Sequence, residues 1–96
     1  STCKMALKSL AEGAWTFIKG VDFGKGTEKL LVTAKGTGVI EIRLDDRNAE
    51  PLGVIELAND EFDKIPVVLP TKITGIHNVY FAFSSKDICL ERWQAE

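Results

Sequence analysis

Gly38-Val39-Ile40-Glu41-Ile42-Arg43-Leu44 alternates apolar and charged side chains with a period of two. In extended backbone that spacing sends Ile40, Ile42 and Leu44 to one side and Glu41 and Arg43 to the other. This is the pattern of an antiparallel strand with one buried face. Val79, Phe81 and Phe83 repeat it downstream, with Tyr80, Ala82 and Ser84 opposite. Leu30-Leu31-Val32, Val54-Ile55-Glu56-Leu57 and Ile65 to Leu69 are short apolar runs bounded by turn residues, and they read as strands too. Pro66 has no N–H to give a ladder, which assigns the last of these to a sheet edge. Trp15 to Phe23 and Ile88 to Trp93 complete a set of seven. So many strands in 96 residues predict an all-β fold, an antiparallel β-sandwich.

The connections fit that rhythm. Gly24-Lys25-Gly26-Thr27 and Lys35-Gly36-Thr37-Gly38 read as turns, because each supplies residues that accept positive φ. Asp45-Asp46-Arg47-Asn48 reads as a polar tip, and Asn59 to Asp63 as a loop carrying one aromatic, Phe62. Met5 to Glu12 is the one helical candidate, though eight residues rarely hold a helix without tertiary support.

The length allows one domain, 1–96, because a second core would not fit. An apolar fraction of 45% and a charged fraction of 27% are those of an ordinary soluble globule. Twelve Lys and Arg stand against fourteen Asp and Glu, with no basic stripe, so nucleic acid is not an expected partner. Apolar runs such as Val67-Val68-Leu69 are far too short to span a bilayer, so no membrane partner is expected either. No charged n-region followed by a long apolar h-region opens the chain, which places any signal peptide outside it.

Cys3 and Cys89 lie near opposite ends of the chain. If the first and last strands are neighbours, a bridge between them would close almost the whole chain and contribute roughly 4–5 kcal/mol. The alternative is two separate buried thiols, each acting as a small hydrophobe. His77 is the sole histidine; without a Cys or second His at ligand spacing it reads as a structural residue rather than a zinc ligand. No nucleophile elbow or P-loop occurs. The carboxylates fall mostly in turns or on outward strand positions, and a sandwich this small has little room for a closed acid–base pocket. Catalysis by this chain is not expected.

Several segments resemble, in order, the family 6 carbohydrate-binding modules. They are Gly13-Ala14-Trp15, Val21-Asp22-Phe23-Gly24, Ile40 to Asp45, Pro51-Leu52-Gly53, Thr74 to Phe83 and Ile88-Cys89-Leu90-Glu91-Arg92-Trp93-Gln94. The resemblance covers Leu10 to Gln94 and implies a jelly-roll sandwich of the galactose-binding-like type. It further implies a non-catalytic module that binds plant or algal polysaccharide, xylan-type or β-glucan, and targets an attached glycoside hydrolase such as a family 43 xylosidase or arabinofuranosidase. A secreted or periplasmic location goes with that role. The alternative is a structural accessory sandwich that docks on a catalytic domain or partner and binds no sugar.

The same resemblance assigns candidate sites. In the family's loop-end cleft two aromatics grip a sugar ring and an Asn side chain binds its hydroxyls. Those positions fall on Ser9, Phe62 and Cys89, so one aromatic remains and the amide is lost. Truncated anchors cost about 2 kcal/mol or more each, which predicts weak binding there. A second family site lies on a sheet face around the Trp of a "G-D-W" motif. Trp15 matches it, with Glu41 and Arg43 outward on their strand beside it; the alternative is that Trp15 packs under a neighbouring loop. The family also carries a structural calcium, for which Glu91 matches one ligand. Against the family its first strand is shortened or absent before Gly13: either the domain is trimmed, with Ser1 to Leu7 as a substitute edge strand, or the chain is a fragment.

Overall fold

The computed structural model describes residues 7–8 as backbone, and 15–84 and 87–96 in full. Within them lie six strands and no helix: β1 (Leu7–Lys8), β2 (Trp15–Asp22), β3 (Thr27–Leu44), β4 (Gly53–Ile73), β5 (Ile76–Phe83) and β6 (Ile88–Ala95). All their pairings are antiparallel.

Two of these strands are long, with 18 residues in β3 and 21 in β4. Fully extended, β3 would reach roughly 60 Å, yet the longest dimension of the molecule is 38 Å. It must therefore bend. The pairings show where: Leu30 to Gly36 lie beside β6, whereas Ile40 to Leu44 lie beside β5. On its other side β3 stays with β4 throughout, the end of one against the start of the other. Each long strand thus serves both layers of a sandwich. One layer is β1, β6, the first half of β3 and the second half of β4; the other is β2, β5, the second half of β3 and the first half of β4. Phe81 of β5 meets Trp93 of β6 across the interior, with ring centroids 5.6 Å apart and no backbone pairing between those strands.

The alternating residues of the sequence fill the gap between the layers. Leu30, Val32, Ala34, Ile88 and Leu90 from one side meet Ile40, Ile42, Val79, Phe81 and Phe83 from the other, and all are buried in one cluster. Burying each such large side chain is worth about 1.5–3 kcal/mol, which makes this cluster the main source of stability.

The corner explains two differences from the sequence reading. Lys35-Gly36-Thr37-Gly38, expected as a turn, is a bend within β3; Asn59 to Asp63, expected as a loop, is the matching bend within β4. The register shifts between Ala34 and Gly36, where Gly36 takes φ +116°. A Cβ on Gly36 would collide with the Asp87 carbonyl oxygen. The Asn59 amide donates to the carbonyls of Ala34 (3.1 Å) and Glu61 (2.8 Å), tying the two bends together. Seven expected strands become five because each of these two merges a pair, and β1 brings the number to six.

Other expectations hold. Pro66 lies on β4, which among the described residues pairs with β3 alone and so forms an edge. The first and last strands are neighbours, with Leu7 opposite Leu90 and Lys8 opposite Cys89. The helix expected over Met5 to Glu12 gives way to strand at Leu7–Lys8, and the rest of that segment lies outside the described residues, as does Ser9. Pairing with β6 gives Leu7–Lys8 a tertiary partner, whereas a helix this short would be marginal on its own. Cys89 is disulfide-bonded and 4% exposed; Cys3 lies outside the described residues.

Candidate carbohydrate-binding face

Period two dictates what the second layer presents outward. Trp15 pairs with Ala82, Ala82 with Glu41, and Glu41 with Val54, so these four form a rung across the sheet. Phe17, Tyr80 and Arg43 form the next rung. The Tyr80 ring lies 5.5 Å from that of Trp15 and 4.8 Å from that of Phe17, both tilted. Trp15 is 45% exposed and Phe17 40%. Large aromatics are usually covered, so three rings clustered on a solvent-facing sheet call for an explanation beyond packing.

Beside the rings is an open cleft of about 340 Å³ lined by Trp15, Arg43, Arg47, Asn48, Tyr80 and Ala82. Arg43 is fixed from two directions: its guanidinium reaches Glu41 Oε1 at 3.0 Å, and its Nε donates to the Ala49 carbonyl at 2.7 Å. Arg47 lies over the Trp15 ring, 4.8 Å from the centroid. Both Arg47 and Asn48 come from the polar tip between β3 and β4. That tip is held by its own acids: Asp46 Oδ1 accepts the Asn48 N–H at 2.8 Å, and Asp45 accepts from His77 and from the Asn78 N–H.

His77 stands between two acceptors, with Nδ1 2.7 Å from Asp45 Oδ2 and Nε2 2.8 Å from the Thr74 carbonyl. Neither acceptor carries a proton, so only the imidazolium satisfies both. Accordingly the Asp45 carboxylate, then the Thr74 carbonyl, raise the pKa of His77. In return the His77 hydrogen bond, then the Asn78 N–H, lower that of Asp45. This is the structural role the sequence suggested, and it anchors the base of the tip that carries Arg47.

Trp15, Glu41 and Arg43 are therefore brought together, and Trp15 is part-exposed with Arg47 of the β3–β4 tip lying over its ring. Phe62 and Cys89 lie at the corner, linked through Lys35: Lys35 pairs with Cys89 in the ladder, and its ammonium sits 4.7 Å from the Phe62 centroid. Phe62 is half-buried, and Cys89 is a disulfide sulfur that offers no amide in the place of the family's Asn. Glu91 is exposed on β6, 3.7 Å from Arg92. Among the described residues no group of three or more His, Cys, Asp or Glu side chains gathers around Glu91, and the segment before Gly13 from which its partners were expected lies mostly outside them. Tyr80, Phe17, Arg47 and Asn48 were absent from the sequence-based site. The alternation in β5 already turned Tyr80 outward, but nothing local pairs it with Trp15.

Residues 1–94 match the model of the carbohydrate binding module (family 6). The chain belongs to that family. Membership makes it a non-catalytic module of the carbohydrate-binding type. The module shares its fold with CsCBM6-3 from Clostridium stercorarium in complex with cellobiose (TM-score 0.82, 18% identity, covering 95% of this chain and 72% of that one). It is also similar to a family 6 module from Clostridium cellulolyticum in complex with xylose (TM-score 0.81, 23% identity, covering 100% and 84%). A third similar structure is a family 43 arabinoxylan arabinofuranohydrolase from Bacillus subtilis in complex with cellotetraose (TM-score 0.80, 24% identity). There the match covers 94% of the module but only 20% of the hydrolase. No curated protein matches significantly.

Proposed function

We propose that the outer face built on Trp15, Tyr80 and Phe17 binds plant or algal polysaccharide of the xylan or β-glucan type, and that the module holds an attached glycoside hydrolase on it. The observation that carries this reading is the exposed aromatic cluster at the mouth of a cleft lined with guanidinium and amide groups. Axial C–H groups give a pyranose an apolar side that suits an aromatic plate, while Arg43, Arg47 and Asn48 offer donors to its hydroxyls. The loop-end position is a poorer host, since it combines one half-buried phenyl ring with a disulfide. Similarity to a segment of a family 43 hydrolase supports the attachment. The disulfide at Cys89 supports a secreted or periplasmic location, where such bonds persist.

The test is pull-down on insoluble xylan and β-glucan with Trp15→Ala, its fold checked by circular dichroism. Loss of retention is expected. Unchanged retention would remove this face from consideration, and silence of the unaltered protein across plant and algal glycans would favour a purely structural docking role.

A further inference from the structure

Building on that sheet-face reading, we infer that the cleft selects an anionic polysaccharide, one carrying uronate carboxylates, and that Arg47 is the residue that reads the charge. The lining contains two guanidinium groups, an amide, an indole and a phenol, and no carboxylate. Three acids of the adjoining strand and tip are committed elsewhere: Glu41 to Arg43, Asp45 to His77, and Asp46 to the Asn48 N–H. Arg43 has its charge met by Glu41. Arg47 makes no ion pair among the described residues, and its guanidinium lies over the face of Trp15.

That contact distinguishes neutral from charged ligands. A sugar stacking on the indole must push the Arg47 guanidinium aside. A neutral sugar then forfeits the cation–π contact and leaves the charge to water. A uronate offers the displaced guanidinium two coplanar oxygens, which match its fork in a bidentate pair. The displacement therefore penalises one class of ligand and rewards the other.

The experiment is calorimetric titration of the full chain with two probes at low salt. One is a xylo-oligosaccharide bearing a single glucuronic acid branch; the other is the same oligosaccharide with that carboxyl reduced to the alcohol. The acid is expected to bind about fivefold to tenfold more tightly, the advantage of a charge-assisted pair at a partly exposed site. The gap should shrink at high salt, vanish in Arg47→Gln and persist in part in Arg47→Lys. Equal affinities, in a protein whose binding still depends on Trp15, would overturn the charge reading and leave the sheet-face site standing. Binding that ignores Trp15→Ala would overturn both, and no binding of either probe would overturn the charge reading. A sulfated xylo-oligosaccharide, titrated as a third probe, should bind no more tightly than the carboxylated one; tighter binding would overturn the choice of carboxylate.

Discussion

Gly36 turns β3 from one layer to the other with the Asp87 carbonyl oxygen in the space a Cβ would take, so two penalties combine in any replacement. A side chain there meets both a positive φ and a backbone oxygen that cannot swing away. Gly36→Ala is expected to cost about 2–4 kcal/mol, measurable by urea unfolding. Trp15 is the converse case. With nearly half its surface in water, and Tyr80 and Arg47 as its ring partners among the described residues, Trp15→Ala should cost about 1 kcal/mol or less in the same assay. Loss of sugar retention in that variant would then report on binding rather than on unfolding.

At the scale of elements, the clasp between the tip after β3 and the start of β5 carries the pH dependence. His77 has its pKa raised on folding, so its contribution is complete below its ordinary 6.5 and is lost as pH climbs through the raised value. Asp45 has its pKa lowered, so its contribution is complete above 3.8 and is lost as pH falls through the lowered value. The clasp is fully formed between those limits. Unfolding free energy should fall as pH rises from 6 towards 9, and His77→Gln should remove that part of the fall; superimposable profiles for both proteins would refute the assignment. Such tertiary pairings are what local reading misses. Ile40-Glu41-Ile42 and Val79 to Phe83 declared their strands and inner faces by alternation alone. Gly36-Thr37-Gly38 has the composition of a turn, and only the layer partners β6 and β5 make it a bend in a continuous strand. The site was legible to the same degree: Trp15, Glu41 and Arg43 came from motif and alternation. Arg47 and Asn48 reach it because a polar tip folds over the sheet, which no spacing along the chain encodes.

For the molecule as a whole, the covalent constraint is the disulfide at Cys89, on the strand that closes one layer. Thiol titration of the denatured, unreduced protein should find no reactive sulfur. Reduction should lower the unfolding free energy by about 2–5 kcal/mol, since the open chain regains freedom when unfolded. The covalent tie acts on a body already laced by its two longest strands. Because β3 and β4 each run through both sheets, neither sheet has a hinge along which it can peel off alone. A saccharide gripping the aromatic side would slow amide exchange on the far side nearly as much as beneath itself, so occupancy of one surface would register throughout the fold.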